Sequence, residues 1–462
     1  MTRVPATARS ARRASLALLA ALTLGFAGAP AADAQTIPWA RSASMAGADF
    51  ALTRGVAAIE FNPANIFIED SVAFSFASSL HGGRVLVTGP GLRDLAGIVT
   101  AAGVGDAALL DNVPAGGLRI DAVSEGTTAR RIAEALDLPD PSGNAAVPTF
   151  GFTYKHGGLV VRNHTVLSAV VSRELIDLAV NGFNPEQINE YAAKSTALRS
   201  FTLSTITFSM GKHFSERFAA GFGVRYLRGR KLLEGRVFEP EIDVDNELLT
   251  ASAAAVEARG GNGIGLDVGI TYAVSARLYA SFAIQNLWQR MHWSDDLLVS
   301  QSSLDQDDLG ASDLRGIINR FRATEFDPDA TTLEAYATAR GLYEESFQPR
   351  ITRAGIGWRA PTRTELQVTG TKTWGAGTLI PLRPDRIAAG VQHPWKALRL
   401  RGGVAFERGG SRQIAFGLGF DPAGFSIDFG GGWTQGTGAS AGLLHGLSGS
   451  LGVGLIFTEL GT

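Results

Sequence analysis

Residues 218–226 read Phe-Ala-Ala-Gly-Phe-Gly-Val-Arg-Tyr, and residues 263–272 read Gly-Ile-Gly-Leu-Asp-Val-Gly-Ile-Thr-Tyr. In the first, Phe218, Ala220, Phe222, Val224 and Tyr226 alternate with Ala219, Gly221, Gly223 and Arg225. In the second, Ile264, Leu266, Val268, Ile270 and Tyr272 alternate with Gly265, Asp267, Gly269 and Thr271. A period of two puts alternate residues on opposite faces of a strand. Large apolar residues on one face and small or polar ones on the other describe a strand between lipid and a narrow lumen. The same alternation recurs in 414–420, 425–430 and 451–457.

Applied along the chain, the template predicts fourteen strands, near 71–80, 147–155, 158–170, 198–211, 217–230, 263–274, 277–287, 348–360, 364–372, 385–392, 397–408, 412–420, 425–433 and 447–457. The connections support it. Every second one is a tight turn, as at His156-Gly157 and Ser275-Ala276, and most of those between are long: 81–146, 171–197, 231–262 and 288–347. Short turns on one rim and long loops on the other define a transmembrane antiparallel β-barrel. Trp288, Trp374 and Trp433 fall at long-loop ends of strands, and Trp358 and Trp395 at short-turn ends, as two interfacial belts require.

Composition narrows the rest. The chain has 462 residues, with 42 Lys+Arg against 44 Asp+Glu and a formal net charge of −2, which argues against a nucleic-acid partner. An apolar share of 45% excludes general disorder. The absence of Cys excludes a disulfide framework, thiolate metal sites and a lipoprotein anchor. Arg3, Arg9, Arg12 and Arg13, an apolar core over 16–27 and the small residues Ala32 and Ala34 form a bacterial secretory signal, cleaved between Ala34 and Gln35. No later segment has the length of a membrane helix, so a mature chain in a membrane crosses it as strands.

Residues 35–70 precede the first strand. They contain Ala40-Arg41-Ser42-Ala43-Ser44-Met45-Ala46-Gly47-Ala48, then Ala51-Leu52-Thr53-Arg54-Gly55, then Phe61-Asn62-Pro63-Ala64-Asn65. Asn side chains bond nearby backbone and Pro fixes φ, so Asn62-Pro63 suits a rigid reversal inside a barrel. Charges at inward positions, Arg225, Asp267, Arg386, Arg399, Arg401, Glu407 and Asp428, face either a water path or a plug. The leading segment favours the plug. In the long connections, 92–101, 127–138, 173–180 and 185–193 have helical spacing, and Leu314, Ile317, Ile318 and Phe321 form an amphipathic stripe. That stripe is either a ligand-capturing lid or a helix packed over the barrel mouth.

The leading segment resembles the N-terminal hatch of FadL/PorV-like outer-membrane proteins. The nearest likeness is to a branch with Ala-Arg-Ser-x-x-Met-Gly-Gly-Ala, Ala-Leu-Ala-Arg-Gly and Phe-Asn-Pro-Ala-Asn-Leu starts; residues 113–119 also look like that branch. Met45-Ala46-Gly47-Ala48 departs from its Met-Gly-Gly-Ala. The resemblance implies a fourteen-stranded barrel in the bacterial outer membrane, with 35–70 as a hatch in the lumen and 71–462 as the barrel. It implies passive transport of small hydrophobic, fatty-acid-like compounds, gated at Asn62, Pro63, Ala64 and Asn65. The alternatives are a PorV-like anchor or shuttle for a secreted protein partner, and a structural closed barrel.

Catalytic patterns are weak. The seven His residues are scattered, with no metal-ligand spacing on one element. His164, beside Asn163 and near Ser168, is the faint candidate for a phospholipase site. Residues 355–360 match GxGxxA but precede no helix, so the dinucleotide reading fails. The acidic run 305–308 reads as a solvated loop face. The chain is expected not to be an enzyme, and to hold no cofactor and no metal. Its expected partners are outer-membrane lipid and a small hydrophobic ligand or a secreted protein.

Overall fold

The computed structural model describes residues 39–67, 72–88, 118–124, 149–171, 196–243, 248–258, 260–293, 298–304, 324–325, 350–374, 385–407, 411–422, 425–436 and 444–458. Two short helices, α1 (Ala40–Ser44) and α2 (Val56–Phe61), and a 3-10 turn (Pro63–Phe67) come first. The strands follow: β1 (Val72–Thr88), β2 (Leu118–Ser124), β3 (Thr149–Tyr154), β4 (Gly157–Val171), β5 (Thr196–Ser215), β6 (Phe218–Asp243), β7 (Leu248–Ala258), β8 (Gly261–Ala273), β9 (Leu278–Trp293), β10 (Leu298–Leu304), β11 (Thr324–Glu325), β12 (Arg350–Arg359), β13 (Glu365–Trp374), β14 (Arg386–Trp395), β15 (Leu398–Glu407), β16 (Ser411–Phe420), β17 (Phe425–Gly436) and β18 (Leu444–Thr458).

The wall is a closed 14-strand antiparallel barrel, in the order β1, β3, β4, β5, β6, β8, β9, β12 to β18, with β18 paired back to β1. Each of the fourteen expected strands coincides with one of these. β2 and β3 occupy one strand position in two pieces. β2 lies between β1 and β4 beside Arg84–Thr88, and β3 lies between the same two strands beside Phe74–Ser79.

The faces are inverted relative to a soluble protein. Large apolar residues point outward and are exposed: Phe222, Val224 and Tyr226 on β6, Ile270 and Tyr272 on β8, and Phe416, 69% exposed, on β16. Their sequence neighbours point inward and are mostly buried and small or polar: Thr205, Thr207 and Ser209 on β5, Asp267 and Thr271 on β8, and Gln367 and Thr369 on β13. Such an outer surface is stable only against lipid, and closure leaves no strand edge in it. Trp288, Trp374 and Trp433 are exposed at the long-loop ends, and Trp358 and Trp395 at the short-turn ends. Trp39 and Trp293 are buried inside.

The wall also continues into segments read as loops. β1 runs to Thr88, β2 falls within 81–146, β6 runs to Asp243 and pairs with β7, and β10 pairs with β7. These pieces were missed because the template asks for apolar side chains facing lipid. β7 is Ala-rich, and the far end of β6 carries Glu234, Arg236, Glu239, Pro240 and Glu241. Hydrogen-bonded strands outside the lipid need no apolar face. The helical stretches at 92–101, 127–138, 173–180, 185–193 and 314–321 lie outside the described residues, as does the secretory signal.

A charge on the outer face should cost stability according to its depth. Phe416→Arg, in the middle of β16, is expected to destabilise the barrel by about 2–4 kcal/mol, and Phe420→Arg, at the strand end, by about 1 kcal/mol or less. Denaturant unfolding in lipid vesicles reads the difference. Equal costs would place this face outside the bilayer.

Candidate functional site

Residues 39–67 pack against the inward face of the wall and are mostly buried. Glycine makes this possible. Gly355 faces Phe50, Gly403 faces the backbone of Met45, Gly430 faces the carbonyl of Ala40, and Gly158 and Gly151 face Ile59 and Val56. A Cβ at any of them would overlap the segment. The GxG of 355–357 is thus a seat for Phe50 and Leu52. The first tight turn forms with Ala46 at φ 51 and Gly47 at φ 73. Ala46 therefore adopts, at a cost, the left-handed conformation that the usual Gly takes freely.

Asn62 and Asn65 are fully buried and lock the segment to itself and to β8. The Asn62 side-chain oxygen accepts from the Ala64 N–H at 3.1 Å, the local turn expected of an Asn before Pro. Its amide donates to Thr271 Oγ1 at 3.0 Å, to the Ile270 carbonyl at 3.2 Å and to Asn65 Oδ1 at 3.2 Å. Asn65 donates to the Phe50 carbonyl at 2.8 Å and accepts from Thr271. Pro63 and Ala64 lie against Gly221, and Asn62 lies against Gly269.

A second anchor sits near the short-turn end. Gln367 accepts from the N–H of Leu52 at 2.9 Å and of Phe50 at 3.2 Å, and donates to Asp49 at 3.0 Å. Thr369 donates to the Ala48 carbonyl at 2.8 Å. Glu365, 3% exposed, accepts from Arg41 at 2.8 Å and from Arg54, with Arg359 at 3.4 Å. Arg401 bonds Asp428 and, at 2.7 Å, Gln392, while Arg399 pairs with Asp421. Opposite, Glu60 accepts from the Trp39 indole at 3.0 Å and lies 3.6 Å from Arg162. Arg353 stacks over Phe61, its guanidinium 5.1 Å from the ring centre, and donates to Gln285 at 2.7 Å.

The sequence candidates divide between these groups. Arg225 and Asp267 form an ion pair of 2.6 Å, and Asp267 also accepts from the Asn286 N–H at 2.8 Å. Asn286, at φ 53, marks a bulge in β9 that turns both Gln285 and itself inward. Arg386 and Glu407 are buried and face each other in register across β14 and β15. Leu314, Ile317, Ile318 and Phe321 lie outside the described residues. Sequence reasoning missed Glu365, Gln367, Glu60 and Arg353. The parity of Glu365, Gln367, Thr369 and Thr371 against Leu366 and Val368 was the available signal.

Towards the long-loop side the inward surface changes character. Leu203, Leu227, Met291 and Trp293 are buried there, with Gly229, Gly261 and Gly263 beneath the Trp293 and Met291 side chains. Among the described residues no group of His, Asp and Glu has the geometry of a metal site, and no helix is long and apolar enough to cross a membrane.

No protein-family model matches the chain, and no curated protein sequence matches it. Solved structures do. The Ralstonia pickettii toluene transporter TbuX is 11% identical over 90% of this chain and 97% of its own, with a TM-score of 0.49. The Pseudomonas putida toluene transporter TodX is 12% identical over 91% and 97%, at 0.44. A Pseudomonas aeruginosa FadL homologue is 12% identical over 91% and 96%, at 0.40.

Gly269→Val should displace Asn62 while leaving a strand-favouring residue in β8. The expected result is unchanged strand content by circular dichroism and new protease sensitivity within 39–67; continued protection would show that the segment does not depend on this seat. Glu365→Ala leaves Arg41 and Arg54 without their shared carboxylate. Because both arginines are partly exposed, the expected loss is about 2 kcal/mol in denaturant unfolding rather than the larger cost of a fully buried pair.

Proposed function

We propose that the chain is an outer-membrane passive transporter of small hydrophobic compounds. The long loops collect the compound, and the segment around Asn62, Pro63, Ala64 and Asn65 gates the lumen. The observation that carries the reading is an apolar inward surface on the long-loop side of the buried segment 39–67. Leu203 on β5 begins it, and Leu227, Met291 and Trp293 extend the apolar surface round the barrel. An apolar compound held there stays out of water on its way through.

The segment 39–67 sits below this surface as a closure. Its anchors are hydrogen bonds and ion pairs to a glycine-lined wall, which can exchange for water when it shifts. The FadL-like start of the chain points the same way. TbuX and TodX are toluene transporters, and a monoaromatic compound is accordingly one of two probes worth using. The other is a fatty acid. The described residues offer no observation that favours a secreted protein partner.

The test exploits the lack of native cysteine. A Cβ at Gly452 would stand 3.4 Å from that of Ala40, close to disulfide range. Cells producing the native chain are expected to take up radiolabelled toluene, oleate or both faster than vector controls. An Ala40→Cys/Gly452→Cys chain should lose that advantage when oxidised and regain it on reduction. Native uptake no faster than the control overturns transport. Full uptake by the oxidised variant overturns gating by the segment.

A further inference from the structure

The rim formed by the short turns is cationic. Lys155, Lys212, Arg217, Arg277, Arg363 and Lys396 stand there against Glu216 and Asp421, and Asp421 is already engaged by Arg399. At one place this rim has a groove. β5 and β6 run on as a hairpin past Gly157, where β4 begins opposite Met210. Lys212 faces Ala220 across that hairpin, and the small Ala220 leaves its outward surface low between Met210 and Phe222 on one side and Phe214 near the tip. The resulting groove has a volume of about 720 Å³, within the range of pockets that hold small ligands.

The lining is amphiphilic in a fixed order. Met210, Phe222 and Phe214 are exposed, Phe214 to 65%. The Lys212 ammonium stands 5.9 Å from the Phe214 ring centre, and the Lys155 ammonium 5.4 Å from that of Tyr154. Each lysine thus holds its ammonium over the face of an aromatic ring. His156, from the turn between β3 and β4, and His213 of β5 also line it, with Gly211 and Gly221. Apolar walls running from the lipid-facing surface towards a cationic rim complement an amphiphile with a chain and a phosphate.

We propose that this groove holds one phospholipid of net negative charge from the leaflet on the short-turn side. Its acyl chain lies against Met210, Ala220 and Phe222, and its phosphate meets Lys212 and His156. The site is separate from the lumen, so it stands whether or not the barrel transports anything; it requires only that the barrel spans a bilayer.

Native mass spectrometry tests it, with the full chain in mild detergent and an equal mixture of phosphatidylglycerol and phosphatidylcholine of identical acyl chains. The native chain is expected to retain one phosphatidylglycerol with roughly fivefold preference, the scale set by one cationic residue at a membrane surface. Lys212→Gln/His156→Gln should abolish the preference, and Lys212→Arg should keep it, which separates lost charge from lost folding. Phe214→Ser should lower retention of both lipids. Equal retention by the native chain, or preference kept by the double Gln variant, overturns the proposal. So does displacement of the lipid by glycerol phosphate alone, which would mark a headgroup-only anion site.

Discussion

Every backbone N–H and C=O facing hydrocarbon must find a partner in the protein, because lipid offers none. The pairing of β18 with β1 is where that demand is met for the whole sheet. Once the sheet closes, the direction of every side chain follows. Odd and even positions of each strand are assigned to lipid or lumen, and one misplaced register step would exchange them. The outward residues are selected for apolar contact and the inward ones for what the lumen contains.

What the lumen contains explains the composition. The segment 39–67 lies so near the wall that much of its seat is backbone: Gly403 against Met45, Gly430 against Ala40, Gly221 against Pro63. Fifty-six glycines are well above the usual share of about 7%, and the inward faces are one place where that excess is used. Specificity then comes from a few polar side chains that reach the segment's own backbone, chiefly Gln367, Thr369 and Ser209. A wall of glycine with sparse polar anchors holds the segment in one place around a small apolar cluster of Trp39, Phe50, Val56, Ile59, Phe61 and Ile66.

The barrel was legible because lipid reverses the usual rule and makes the reversal repetitive. Phe222, Val224 and Tyr226 announce an outer face, and Gly223 and Arg225 an inner one. β7 and the far half of β6 were not legible, since strands beyond the lipid carry no such contrast. Asn62-Pro63-Ala64-Asn65 stood out as a rigid turn, and its side-chain bonds are local enough to argue from sequence. Its seat was not. Thr271 and Gly269 lie more than two hundred residues away, and nothing in either stretch names the other. Glu365 is a further case: an inward carboxylate is readable by parity, but its partners Arg41 and Arg54 are not.

That separation has a consequence for how the molecule is put together. Arg41 and Glu365 are 324 positions apart, and Leu52 and Gln367 are 315 apart. Residues 39–67 emerge before any strand exists, yet Glu365, Gln367 and Thr369, which bond them, all belong to β13. The earliest part of the chain to be made is therefore among the last to be satisfied. Until most of the wall has been laid down, those buried amides and arginines must be held by water or by another protein. Assembly thus ends with the molecule swallowing its own beginning, and closure of the sheet before that event would shut the segment out.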